Sequence, residues 1–197
     1  MKNDIAFFDF DGTITTRDTL LELIKYSHGV PAFCAGFGLL SPWIAAMKTG
    51  MISNSNAKQR VLRYFYGGWT TDRWQELCAS FVAGKVPGLL RPKAMQEIGK
   101  YKDAGVPVVI VSASPEDMVG IWTRQNGLEV VATRLEVRDG KMTGRIAGAN
   151  CHGHEKVRRI REQYEMDSFS TVYAYGDSKG DRPMLGLART SFYKPFR

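Results

Sequence analysis

The stretch IAFFDFDGTIT, Ile5 to Thr15, closes an apolar run with two aspartates one residue apart. Ile5, Ala6, Phe7, Phe8 and Phe10 read as a strand buried on both faces, the pattern of a parallel sheet covered by helices. At positions i and i+2, Asp9 and Asp11 leave such a strand on the same side. Two carboxylates so placed repel each other, so they need either a cation between them or a site where one of them reacts. The fold must therefore open a polar site at the end of a buried strand. In open α/β sheets that place is the rim beyond the carboxyl ends of the strands.

The remaining periodicity agrees with that fold class. Asp18 to His28 reads as a short amphipathic helix, followed by an apolar stretch from Val30 to Met47. Helical patterns then cover Ala57 to Tyr66 and Thr70 to Lys85, the latter opening with a Thr-Thr-Asp that caps its first turn. Beyond Pro87 helices and strands alternate. Arg91 to Gly105 reads as a helix, Val106 to Ser114 as a β-branched strand, Pro115 to Gly127 as a helix and Leu128 to Thr133 as a strand. A hairpin turns on Asp139-Gly140. His154 to Met166 reads as a helix, Thr171 to Ser178 as a strand, Asp181 to Ala188 as a short helix and Ser191 to Phe196 as a last strand. The expected architecture is α/β: a Rossmann-like core with a mostly parallel sheet, and an all-helical cap inserted after the first strand. Residues 1–15 and 87–197 form the expected core, and residues 16–86 the cap.

Composition narrows the class of protein. A chain of 197 residues with 44% hydrophobic and 24% charged content has enough apolar matter for one sizeable core. Three cysteines, Cys34, Cys78 and Cys151, are odd in number and far apart, which argues against a disulfide framework and for a reducing, cytoplasmic setting. The N-terminal MKNDIAFF does not read as a secretory signal. The net charge of +7 suits anionic ligands of any kind and selects none.

Three of the apolar strands end in polar groups: Asp9 and Asp11, then Ser112, then Asp177. Lys156 falls in the first turn of the helix after CHGH. In a parallel sheet these groups meet at one rim. Asp9, Asp11 and Asp177 are hard oxygen donors able to hold one Mg²⁺ that keeps waters and a substrate phosphate, with Asp181 supporting them from behind. Ser112 and the amides of the following helix N-terminus make a phosphate cradle. Lys156 neutralises charge on a transferring phosphoryl group. A carboxylate nucleophile beside a metal, with a second carboxylate to move protons, suits covalent phosphoryl transfer.

DFDGTIT, VSAS, the lysine of CHGHEK and GDSKGD, in this order, resemble the four motifs of the haloacid dehalogenase superfamily. The helical insertion directly after the first motif, and the RLEVRDGKMTGRI hairpin, resemble its subfamily IB, which includes phosphoserine phosphatase. That resemblance implies a Mg²⁺-dependent phosphomonoesterase acting on a small phosphorylated substrate. It makes Asp9 the nucleophile that becomes an aspartyl phosphate, and Asp11 the acid that protonates the leaving group and then activates water. Ser112 and Lys156 would hold the phosphoryl group. Mg²⁺ would sit on Asp9, Asp177 and, as is usual in the family, the main-chain carbonyl of Asp11. One departure stands out: Gly180 precedes the last motif acid where related phosphatases often carry asparagine.

Other readings compete. A lone DxD is often a solvated turn, Ser112 alone a helix cap, and Lys156 alone one of the charges of EKVRRIRE. Cys151, His152 and His154 could suggest zinc, but their spacing fits no common tetrahedral site. The basic helix from Lys156 to Arg161 lacks interleaved aromatics, which argues against a nucleic-acid surface. A binding module with a dead site is opposed by the presence of every reactive acid. For the substrate, Asp18 occupies a place comparable to the acid that phosphoserine phosphatases carry early in the insertion, and Arg60 and Arg63 are candidates for their arginine. Phosphoserine is thus one option.

The run from Tyr26 to Met47 carries no Asp, Glu, Lys or Arg. It reads first as a buried helical pair within the cap, with an interfacial membrane contact and a bilayer span as alternatives. The interfacial reading matters because a bacterial phosphatidylglycerophosphate phosphatase resembles this chain in its CxGHEK segment and apolar insertion.

Overall fold

The computed structural model describes residues 4–197. Its centre is a five-stranded sheet, all parallel, in the order β3-β2-β1-β6-β7. These strands are β1 (Ile5–Phe8), β2 (Val108–Pro115), β3 (Glu129–Thr133), β6 (Val172–Gly176) and β7 (Thr190–Tyr193). The first strand in sequence is thus the middle strand in space. Ile5, Ala6, Phe7 and Phe8 have no exposed surface, so β1 is covered on both faces as its unbroken apolar run requires. Fully burying each phenylalanine contributes about 1.5–3 kcal/mol, enough to hold the strand at the centre rather than at an edge.

The alternation along β1 divides the core. Ala6 and Phe8 face one layer, with α4 (Pro92–Asp103), α5 (Glu116–Asn126) and the cap helices. Ile5 and Phe7 face the other, with Ile160 of α6 (His154–Gln163) and Met184 of α7 (Arg182–Leu185). Right-handed crossovers on a twisted parallel sheet leave a crevice where strand order reverses, here between β1 and β6.

The strand from Ile5 stops at Phe8, earlier than its apolar pattern suggests, because Phe10–Ile14 winds into a tight turn in which Gly12 has φ +83°. A Cβ there would also lie 2.5 Å from Asp177 Oδ2, so only glycine lets the turn approach the end of β6. The hairpin forms as read, with β4 (Leu135–Arg138) and β5 (Lys141–Ile146) joined by Asp139 and Gly140, both at positive φ.

Between β1 and β2 lie α1 (Thr19–Lys48), α2 (Asn54–Tyr66) and α3 (Thr71–Gly84), with no strand among them. Helix α1 is broken at Gly29, whose φ of 78° and ψ of 164° are not helical. The apolar stretch after that break is not the buried helical pair that its composition suggests. It is one helical limb, packed on one side only: Gly36 and Leu40 are buried, while Val30, Leu39 and Trp43 are exposed. Gly36 allows the contact, since a Cβ there would lie 2.4 Å from the Phe65 ring of α2. The hairpin packs on this helical block as well. Gln59 Oε1 accepts from the Ile146 amide at 3.1 Å, and the Gly68 amide donates to the Met142 carbonyl at 2.8 Å.

Candidate active site

Each element of the site reaches the rim for a local reason. Asp9 leaves β1 as its first residue beyond the ladder, and its amide still donates to the Tyr175 carbonyl at 2.9 Å. Asp177 follows β6 directly. Asp181 is fixed by a capping box with Ser178, accepting from that residue's amide at 2.9 Å and its hydroxyl at 2.7 Å. Lys156, in the first turn of α6, is almost fully buried.

Lys156 is the hub of these groups. Its ammonium donates to Asp9 Oδ1, Asp181 Oδ1 and the Val111 carbonyl, each at 2.7 Å. A buried ammonium with three charged or carbonyl acceptors is fully satisfied. The two carboxylates hold its pKa well above the usual lysine range despite burial. Burial pushes Asp9 up to about 7, with Asp181 and Asp11 adding to the push and Lys156 opposing it. Asp181 is held below its ordinary value, burial being outweighed by Lys156 and by the Ser178 hydrogen bonds.

Asp9, Asp177 and Asp181 bring carboxylate oxygens within 4.8 Å of one another. That set of hard donors around one point fits a divalent cation of the Mg²⁺ type. Asp181, expected behind the metal ligands, lies within that 4.8 Å group with Oδ1 taken by Lys156 and Oδ2 by Ser178. The Asp11 carboxylate, counted among the oxygen donors, faces away from that group: Oδ1 accepts from the Thr19 amide at 2.7 Å, and Oδ2 from the Ser114 hydroxyl at 2.6 Å and the Ser112 hydroxyl at 3.3 Å. The turn that begins at Phe10 directs the Asp11 carboxylate to Thr19 and Ser114 rather than into the group of Asp9, Asp177 and Asp181. Asp177 is also capped by the Arg197 guanidinium.

These groups open into a cavity of about 370 Å³ between core and cap. Asp9, Asp11, Ser114, Lys156 and Asp181 form its floor, with Asp18, the N-cap of α1, near its edge. Ser112 lies under the floor, fully buried, and supports Asp11 and the Ser114 amide. Lys58 of α2 enters from the cap, donating to the Ala113 carbonyl and, at 3.3 Å, to Asn150 Oδ1. Desolvation pushes this ammonium down to about 8, against the pull of Asp11 and Asp18. Arg60 and Arg63, the two arginines considered for substrate, lie on the outer side of α2, away from the cavity.

Sequence reasoning missed Lys58, Thr19, Ser114, Asn150 and His152. Ser114 was within reach, since it follows Ser112 by two in VSAS and so shares its side of the strand. Lys58 carried no local signal. His152 explains the departure at Gly180: a Cβ on Gly180 would lie 2.2 Å from His152 Nε2, so glycine makes room for the imidazole at the cavity wall. The CHGH segment gathers no metal site among the described residues. The Cys151 thiol is buried against the Val131 carbonyl, while His152 faces the cavity.

Acids gathered at the switch point of a doubly wound sheet, over a buried lysine and under a helical cap, define a hydrolase of the phosphate-handling α/β class. The chain belongs to the haloacid dehalogenase-like hydrolases, whose family model matches residues 6–186. Among relatives, it is 34% identical to Protein CicA of Caulobacter vibrioides over 195 residues, covering 98% of this chain and 86% of that protein. It is 31% identical to the probable phosphatase Rv3661 of Mycobacterium tuberculosis, covering 98% and 69%. Its fold is phosphoserine-phosphatase-like: a substrate-bound phosphoserine phosphatase structure superposes with a TM-score of 0.71 at 19% identity, over 98% of this chain and 86% of that one.

Proposed function

We propose that this protein is a Mg²⁺-dependent phosphomonoester hydrolase that works through an aspartyl phosphate on Asp9. The observation that carries the reading is the division of labour between the two acids of the first motif. Asp9 stands with Asp177 and Asp181 and is gripped by Lys156, while Asp11 is held apart on Thr19 and Ser114. Bound Mg²⁺ would offset the negative charge of a phosphate. Asp9 and Asp177 would hold the ion with the main-chain carbonyl of Asp11 that the family resemblance implies, and Asp181 would stay behind them on Lys156 and Ser178.

The chain's own residues supply the rest. Lys156 orients Asp9 and offsets the negative charge of the arriving phosphate. A carboxylate oxygen of Asp9 forms the new bond to phosphorus as the bond to the ester oxygen breaks. Asp11, on the cavity side, gives its proton to that leaving oxygen. It then takes a proton from the water that cleaves the acyl phosphate, which releases inorganic phosphate and restores Asp9. Thr19 and Ser114 donate to the carboxylate of Asp11 and fix its direction.

For the substrate, Asp18 and Lys58 offer opposite charges at the cavity edge, which supports a small phosphorylated metabolite, an amino-acid phosphate included. A second reading is favoured by the cavity wall. Leu20, Leu21, Phe37, Ile44, Met47 and Val61 give it an apolar side that an amphiphilic phosphomonoester would cover and a small polar one would leave wet.

The test is phosphate release from amino-acid, sugar, nucleotide and lipid phosphomonoesters, with Asp9→Asn and Mg²⁺ removal as controls. Turnover that needs both Asp9 and Mg²⁺ supports the reading. Full activity of Asp9→Asn on an aryl phosphate would sink it.

A further inference from the structure

The limb of α1 after Gly29 is apolar on both of its sides, yet only one has a partner. Phe37, Ile44 and Met47 turn inward to the cavity. Outward it shows Val30 (61% exposed), Leu39 (68%) and Trp43 (40%), with no charged residue from Tyr26 to Met47. From Val30 to Lys48 only Gly36 and Leu40 are buried. A soluble protein seldom leaves so continuous an apolar face to water.

Beside this face lies a groove of about 360 Å³ lined by Arg60, Arg63 and Arg145, with no acidic residue in its lining. Among the described residues none of the three arginines is in a salt bridge. The Arg60 guanidinium stacks over Trp43 at 3.5 Å from the ring centroid, which joins the apolar face to the basic one. Trp beside Arg at the border of an apolar surface is the arrangement suited to the headgroup layer of a bilayer.

We infer that this face, the outward side of residues 30–48 with Arg60, Arg63 and Arg145, docks on an anionic lipid surface. The charge complementarity names the occupant: three guanidiniums outside any salt bridge among the described residues, beside a helical limb with no charge before Lys48, match anionic headgroups above acyl chains. The helix lies in the interface and does not cross it, because its other side is committed to α2 through Gly36 and Leu40 and to the cavity wall. The same limb that meets the lipid also walls the cavity. A docked molecule thus holds its catalytic opening next to the membrane.

The experiment is co-sedimentation of the whole chain with phosphatidylglycerol vesicles and with phosphatidylcholine vesicles, at low and high salt. The expected result is binding to the anionic vesicles only, weakened by salt. Leu39→Glu, and separately Arg63→Glu with Arg145→Glu, should each lower the bound fraction at a given lipid concentration by about tenfold or more. Hydrolysis of a soluble aryl phosphate should stay unchanged in all of them, which also shows that the variants fold. Three outcomes overturn the inference. The wild type remains in the supernatant with every vesicle; or Leu39→Glu binds as well as wild type; or light scattering finds a dimer that Leu39→Glu dissociates, which gives the face to a second copy. Binding is read without turnover, so failure of the phosphatase reading leaves this result independent.

Discussion

The Lys156 ammonium stands 2.7 Å from the Asp9 carboxylate, and the two side chains are only 2% and 8% exposed. A buried pair of this kind adds little net stability, but removing one partner strands the other. Lys156→Met is therefore expected to lose about 3–5 kcal/mol of unfolding free energy at neutral pH, since Asp181 would keep a buried charge without a counter-ion and Asp9, no longer held down by the lysine, would have to take up a proton. Urea unfolding followed by circular dichroism measures it. A loss below about 1 kcal/mol, the scale of an exposed ion pair, would show that the carboxylates are neutral or solvated.

Asp11 sits apart from the acidic cluster with its carboxylate aimed by Thr19 and Ser114. Asp11→Asn should slow turnover by roughly 10²- to 10⁴-fold, the usual scale of general acid–base catalysis. The loss should shrink for esters with good leaving groups, which need less protonation. Steady-state rates across a series of aryl phosphates decide this. An equal loss across the series would remove Asp11 from the first chemical step.

Lys58 is expected to give the pH profile an alkaline limb. Desolvation lowers its pKa to about 8, so it is charged below that pH and neutral above it. If the cation steadies an anionic substrate, kcat/KM falls as pH rises through about 8. Lys58→Arg should move that limb upward, because a guanidinium stays charged, and Lys58→Met should abolish it. Stability runs the other way. Between the folded value of about 8 and the ordinary 10.5 the unfolded chain binds more protons, so this group makes the protein more stable as pH rises across that window. A limb near pH 8 that survives in Lys58→Met would belong to another group.

Much of the fold was legible in the chain. The uninterrupted Ile5–Phe8 run dictated a central parallel strand, because no exposed position interrupts it, and Asp139-Gly140 dictated the hairpin turn through its two positive-φ residues. That Asp9, the Ser112 end of β2 and Asp177 meet at one rim was legible too, since a parallel sheet sends its strand ends there, but Ser112, expected to hold phosphate, lies fully buried outside the cavity lining. Local signals sufficed wherever one element's periodicity set the outcome.

Contacts between elements distant in sequence were decided by tertiary structure alone. Lys58 and Ala113 are 55 residues apart, and nothing near either one announces their hydrogen bond. The turn that begins at Phe10 directs the Asp11 carboxylate to Thr19 and Ser114, which the i, i+2 rule for a continuing strand could not foresee. Asp181 joined the acids because Lys156 and the Ser178 cap hold it there. The apolar run after Gly29 has one hydrophobicity in sequence but two fates in space. Packing area on α2 and the cavity was enough for one side of the helix, and the other side was left exposed.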